Sequence, residues 1–481
     1  LEKLLACGCS IRLSIYPAPR EEVAYVTCTY RETCIDQPDF LATIDLNPRS
    51  PYYCQVIHRL PMPNLKDELH SSGWSAGCPC FDDTTTKRNK LILPCLISSR
   101  IYVVDVGSQC RAPKLCKMIE PVDVFWKCNK GYLNIPRSLP NGDILIANTG
   151  DPSGNAKGTL PFNNSMNKLI GGFIVLDGET FELKGNWENE CDSPPSGYDF
   201  CYKPRHNVLV SSAGVVPKCV GYGFSPDDFK KGVFGRRLNV WNLSCRSLTQ
   251  CFDLGEDSLP LSVKFLHNPD AAEGYVSCAL SGIVYRFYKC ERDNWAVEEV
   301  IRIPAKDVTG WIMPKMPGSL DLIISMDDKY LYLSNWLHGD IRQYELSKTC
   351  KPRLVGQVFV GGSILRGGPV AVCRDEELKC QPEPLVIKCK RVYGGPGKMQ
   401  LSVDGKRLYV TNSLYSTWDK QFYPNLVKEG SVMLQIDVDT EKGGLTVNKN
   451  FLVDFGKEPN GPCLAHDIHF PCGDSTTDIL A

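Results

Sequence analysis

The residues of this chain best equipped for chemistry are its seven histidines and 24 cysteines. The histidines are His58, His70, His206, His267, His338, His466 and His469. His206 stands in Pro204-Arg-His-Asn207 at the start of a run that reads as an inner strand, and His338 in Asn335-Trp-Leu-His-Gly-Asp340 follows the end of another. His70 and His466 flank further runs of the same kind. Neutral imidazole suits copper and several other transition metals, so His70, His206, His338 and His466 brought together would make a metal centre. For each histidine alone, the competing role is a hydrogen-bonded structural one. His58 and His469 are assigned to that role, and His267, in Leu266-His-Asn-Pro-Asp270, reads as a turn-stabilising residue.

The cysteines do not cluster as zinc ligands do. Only Cys7-Gly-Cys9 and Cys78-Pro-Cys80 approach paired-ligand spacing, and the rest are scattered from Cys28 to Cys472. Scattered cysteines in even number point to disulfides, hence to an oxidising compartment and a secreted or extracellular protein. Two sequons, Asn163-Asn-Ser165 and Asn242-Leu-Ser244, fit that setting as glycosylation sites. The alternative is a cytoplasmic protein with buried free thiols. No G-x-S-x-G elbow, strand-following G-x-G-x-x-G or P-loop occurs, which argues against an activated serine and against nucleotide chemistry.

For distant histidines to meet, the fold must gather remote segments around one axis. An internal repeat supplies such a fold. Its second part is an alternating apolar strand, as in Leu41-Ala-Thr-Ile-Asp45, Ile101-Tyr-Val-Val-Asp105, Phe173-Ile-Val-Leu-Asp177 and Leu238-Asn-Val-Trp-Asn242. It returns at Ile283–Phe287, Asp340–Tyr344 and Val432–Asp437. A β-rich run ending in small polar residues precedes each copy, and Asn141-Gly142, Asp177-Gly178, Asp404-Gly405 and Gly443-Gly444 supply turns. Seven such four-stranded units predict an all-β fold, a seven-bladed β-propeller of antiparallel blades. Residues 1–20 are then an N-terminal extension and 21–481 a single propeller domain. The one short helix expected is Asn64-Leu-Lys-Asp-Glu-Leu69, capped by Asn64. The Pro- and Gly-rich stretch Val360–Lys398 reads as a long excursion on one face. With 54 Lys and Arg against 55 Asp and Glu, charge gives no reason to expect nucleic acid or an anionic membrane as partner. No apolar run reaches the ~18 residues of a membrane span. The chain begins Leu1-Glu2-Lys3 without Met, which would fit a removed targeting segment.

Several longer motifs resemble the selenium-binding protein (methanethiol oxidase) family. They are Pro51–His70, Leu96–Gly107, Phe265–Ala272, Ser334–Asp340 and Ser413–Pro424. The resemblance implies a β-propeller, mostly cytosolic among members. It also implies a reaction in which methanethiol, oxygen and water give formaldehyde, hydrogen sulfide and hydrogen peroxide, with copper implicated. Selenium binding in vertebrate members is ascribed to a cysteine that Cys54 matches. This chain departs from the family pattern where chemistry is at stake. Ser71 stands where a second histidine is usual, and Asn134 and Arg137 replace both histidines of a His-Thr-x-His motif. Phe125 replaces another histidine, and Ser212-Ala-Gly214 stands where members carry Thr-Glu-Trp. On these losses the chain reads as a divergent, catalytically degenerate member: a disulfide-reinforced binding or structural protein that needs no cofactor and acts through a protein partner or self-assembly. The alternatives are a copper-dependent methanethiol oxidase taking a small thiol at His70, His206, His338 and His466, and a selenium or thiol carrier acting through Cys54.

Overall fold

The computed structural model describes residues 20–76, 88–154, 172–189, 197–214, 217–230, 233–290, 294–471 and 473–475. Among these, seven antiparallel sheets of four or five strands follow one another along the chain. Their innermost strands are Leu464–His469, Gly73–Trp74, Gly131–Ser138, Phe200–Lys203, Pro260–Phe265, Leu322–Ile324 and Lys398–Leu401. The first sheet joins the two ends of the chain. Leu464–His469 pairs with Val23–Thr29, placing Tyr25 opposite His469 and Val26 opposite Ile468. This closure makes the sheets a β-propeller.

Burial along each sheet explains the sequence pattern. All seven residues of Val23–Thr29 and all six of Tyr330–Asn335 are buried, because inner strands have a neighbouring sheet on both faces. Outer strands such as Lys114–Ile119 and Ser247–Asp253 alternate between covered and exposed positions, since only one face is packed. Buried carboxylates fasten successive sheets around the axis. Asp199 accepts from Val263 N at 3.0 Å, Asp321 from Met399 N at 3.1 Å, and Asp467 from Ser72 N at 2.7 Å. Each of the three therefore reaches the innermost strand of the next sheet or its lead-in. A buried amide left unpaired would be costly, so these bonds fix the spacing of the inner strands.

Three expectations change. The Asn64–Leu69 segment is not helical. Lys66 and Glu68 take positive φ, while Asp67 and Glu68 are drawn outward to Arg100, Tyr102, Arg31 and Ser416 N. Helices occur instead at Pro121–Cys128, Pro217–Tyr222, Pro226–Lys230, Ser416–Phe422 and Pro424–Glu429. The 360–398 excursion carries strand structure of its own: Ala371–Arg374 pairs with Lys306–Thr309, and Val386–Ile387 forms a hairpin with Lys390–Arg391. The third change concerns the cysteines. All eighteen that lie among the described residues are free thiols. Cys28, Cys95, Cys201, Cys278 and Cys463 fill the core as small apolar side chains. The disulfide reinforcement expected from cysteine number is absent among the described residues. Cys7, Cys9, Cys78, Cys80, Cys191, Cys472 and the sequon at Asn163 lie outside the described residues. Asn242 ends a strand half-buried, its Oδ1 accepting from Asn207, Ser244 and Cys245 N.

Candidate active site

Of the four histidines expected to converge, the fold brings two together. His70 precedes the innermost strand Gly73–Trp74, and His466 lies within the innermost strand Leu464–His469 of the adjoining sheet. The backbone at both is pinned by buried threonines: Thr27 Oγ1 donates to His70 O at 3.0 Å, and Thr411 Oγ1 donates to His466 O. The imidazoles stack face to face with centroids 3.9 Å apart and planes at 14°. Tyr415 also stacks on His70, at 5.0 Å and 27°.

The protonation of this pair follows from its surroundings. Ser413 O can only accept, so the 2.7 Å contact makes His466 Nδ1 the donor and leaves Nε2 with its lone pair. His70 Nε2 is buried without a hydrogen-bond partner. Burial lowers both pKa values, that of His466 to about 4, and the neighbouring His466 and Lys398 depress His70 further. Both rings are therefore neutral at physiological pH, the state a metal ligand requires.

The other histidines are committed elsewhere. His206 follows the innermost strand Phe200–Lys203, whereas His70 precedes its own, so the two belong at opposite ends of the axis. His206 Nε2 pairs instead with Asp270 O at 3.0 Å. The strand it was expected to open, Val208–Ser212, is the second of its sheet rather than the innermost. The same holds for Tyr330–Asn335 before His338. His338 is fully buried, with Nε2 on Met316 O at 3.0 Å and Gly318 packed against the ring. His469 is held as a cation, raised to about 10 despite its burial by Asp474 and Asp467, and it bonds Asp474 at 2.8 Å. His267 and His58 bond Ile324 O and Pro113 O. Cys54 is buried in the turn joining the two outer strands of the first sheet, at φ 65°, and burial raises its thiol pKa. That favours the protonated thiol over the nucleophilic thiolate.

The substituted positions do not all surround the pair. Ser71 Oγ donates to Asn134 Oδ1 at 2.9 Å, which places Asn134 beside the His70 backbone with Nδ2 unpaired. Phe125 lies on the helix Pro121–Cys128 and packs into the apolar cluster of Ile119, Val124 and Leu183. Arg137 donates to Phe200 O at 2.6 Å and pairs with Asp199 at 3.0 Å, and Asp199 also meets Lys264 at 2.8 Å. The charge of Arg137 is thus neutralised by a buried carboxylate, which its two cations hold well below the usual range despite desolvation. Sequence reading missed Tyr415, Lys398 and Asp467; only Tyr415 lay within a motif that stood out.

Among the described residues, no three His, Cys, Asp or Glu side chains are grouped to hold an ion. The His70–His466 pair nevertheless fits an imidazole-accepting metal in its donor chemistry. It offers two neutral rings, and one has a buried nitrogen that nothing else satisfies.

Comparison with known proteins decides the family. The model of the family described as 56kDa selenium binding protein (SBP56) matches residues 10–481. The chain belongs to this selenium-binding protein family. A protein of Xenopus tropicalis named methanethiol oxidase is 57% identical over 483 residues, covering 100% of both chains. A human protein of the same name is 56% identical over 473 residues, covering 98% of each. The X-ray structure of a hypothetical selenium-binding protein from Sulfolobus tokodaii superposes with a TM-score of 0.83 at 32% identity, covering 99% of this chain and 98% of that one. These findings overturn the expectation of a catalytically degenerate binding or structural protein. Relatives matched along their whole length at this identity carry the name of an oxidase, and two of the substitutions do not bear on the pair. Phe125 is not at the His70–His466 pair, and the charge of Arg137 is compensated.

Proposed function

We propose that this selenium-binding protein family member is a methanethiol oxidase working at the His70–His466 pair. The observation that carries the reading is end-to-end similarity, at 55–57% identity, to relatives bearing that name. The pair of buried neutral imidazoles gives the reading a place in the fold. The reaction balances as methanethiol, dioxygen and water giving formaldehyde, hydrogen sulfide and hydrogen peroxide.

Copper would be held by His70 and His466, and when bound it would supply the electron-transfer chemistry that couples a thiol to dioxygen. The chain's own residues prepare that place. Burial keeps both imidazoles unprotonated, and Lys398 reinforces this by opposing a second positive charge nearby. Ser413 O fixes the His466 tautomer, so the remaining ring nitrogen is the basic one. Tyr415 covers the outer face of His70 and limits the access of water to it.

The test loads purified protein with copper and follows hydrogen sulfide and hydrogen peroxide released from methanethiol in air. Turnover is expected, and the His70→Gln and His466→Gln variants should each lose at least about tenfold of it. Absence of turnover in copper-loaded protein, or turnover indifferent to both substitutions, refutes the assignment.

A further inference from the structure

Tyr415 is shared between the histidine pair and a separate feature. One face of its ring stacks on His70, and the residue also lines an apolar cavity of about 40 Å³. Trp311, Trp336, Leu414, Trp418 and Phe422 also line it. The aromatic side chains brace one another: Tyr415 meets Trp418 edge-on at 5.4 Å, and Trp336 meets Phe422 at 5.7 Å. Ala279, Leu280 and Met313, only partly buried, form its more accessible side.

Four of the lining residues carry a buried polar atom without a hydrogen-bond partner: Trp311 Nε1, Trp336 Nε1, Ser319 Oγ and the Tyr415 hydroxyl. Trp336 Nε1 and Ser319 Oγ belong to residues each 4% exposed, and neither atom has a hydrogen-bond partner. Both residues line the cavity. Buried donors are seldom left unsatisfied, and several around one cavity mark a place for an acceptor. Ser319 also holds φ +87°, a left-handed conformation that a serine adopts only under constraint from its surroundings. Size narrows the guest. A water needs roughly 10–15 Å³ of such space, so about 40 Å³ admits two or three heavy atoms and no more.

We propose that this cavity is the binding site for the small alkyl thiol, with its alkyl group against the indole and phenol rings and its sulfur facing Trp336 Nε1 and Ser319 Oγ. The identity of the guest rests on the oxidase reading; the cavity and its unpaired donors do not. A thiol of one carbon satisfies the volume, the apolar wall and the weak acceptor that a sulfur provides. A four-carbon thiol exceeds the volume.

The experiment separates the site from the reaction. Tryptophan fluorescence of the full chain, kept anaerobic with a chelator so that nothing turns over, is titrated with methanethiol and with butane-1-thiol. Trp311, Trp336 and Trp418 lie in the wall and report directly on occupancy. Saturable quenching by methanethiol is expected, with butane-1-thiol at least about tenfold weaker. Ala279→Phe should abolish the response by filling the space. Leu280→Trp is the second filling variant should the first fail to fold, and Trp336→Phe should weaken binding about threefold to tenfold by removing one donor. Quenching that does not saturate, or a correctly folded filled variant that binds like the parent, overturns the proposal. Turnover read in parallel on the copper-loaded protein distinguishes the two claims. Saturable, variant-sensitive binding without turnover keeps the site and removes the oxidase. Undiminished turnover in a filled variant keeps the oxidase and removes the site.

Discussion

The neutral state of His466 has a measurable consequence on acidification. Its imidazole titrates near its ordinary 6.5 in the unfolded chain, but burial depresses it to about 4 in the folded protein. Between those values the unfolded state binds the extra proton, so stability falls as pH falls. The contribution of His466 is intact above about 6.5 and lost as pH drops through about 4. At about 1.4 kcal/mol per pH unit, the loss amounts to about 3 kcal/mol. The raw stability curve will not display this cleanly. Asp39 and Asp419 are raised by burial to about 7 and about 8, so their stabilising protonated forms are lost as pH rises through the same window. The diagnostic quantity is therefore the difference between wild type and His466→Gln, which retains a donor for Ser413 O but cannot titrate. Urea unfolding of both proteins between about pH 7.5 and 4 should give curves that run parallel above about 6.5. Below it they should converge or cross, wild type losing about 3 kcal/mol relative to the variant. His70 is stacked on His466 and opposes a second proton, so the double variant with His70→Gln should flatten the dependence further. Curves that stay parallel down to pH ~4 would refute the buried neutral pair.

Two other outcomes follow from groups fixed in the same structure. Arg137→Met removes one of the two cations on the buried Asp199, and should cost about 3 kcal/mol in urea unfolding; a change near zero would deny that Arg137 is structurally compensated. Titration with a thiol reagent in denaturant, without reductant, should find at least the eighteen described cysteines reactive, and native protein should spare buried Cys28, Cys95 and Cys278. A shortfall in denaturant would restore the disulfides.

Strand pattern carried much of the architecture, because alternation and turn chemistry are local and each sheet repeats them. What alternation does not reveal is rank within a sheet. The first and second strands from the axis are both buried on both faces: Phe200–Lys203 and Val208–Ser212 have the same fully buried pattern. His206 was therefore placed at the start of the wrong strand, and with it at the wrong end of the axis. The same ambiguity attached to His338. His70 and His466 meet only because the last strand joins the first sheet, a closure between residues nearly four hundred positions apart. The substituted positions teach a related lesson. A histidine replaced by Arg137 looks like a cation set against a metal until Asp199 is seen 62 residues later, taking the charge at 3.0 Å. Phe125 looks like a lost ligand until its helix is seen packing into an outer apolar cluster. In both cases the residue type was read correctly and its surroundings were not. Cysteine number fails for the same reason, since a buried thiol and half a disulfide are the same letter. A site assembled from separate sheets is set by what each side chain faces, and facing is a property of closure rather than of any local stretch. That is why the cavity beside Tyr415, walled by residues from Phe224 to Phe422, is not legible as a site in sequence although parts of its wall lie within the motifs Ser334–Asp340 and Ser413–Pro424.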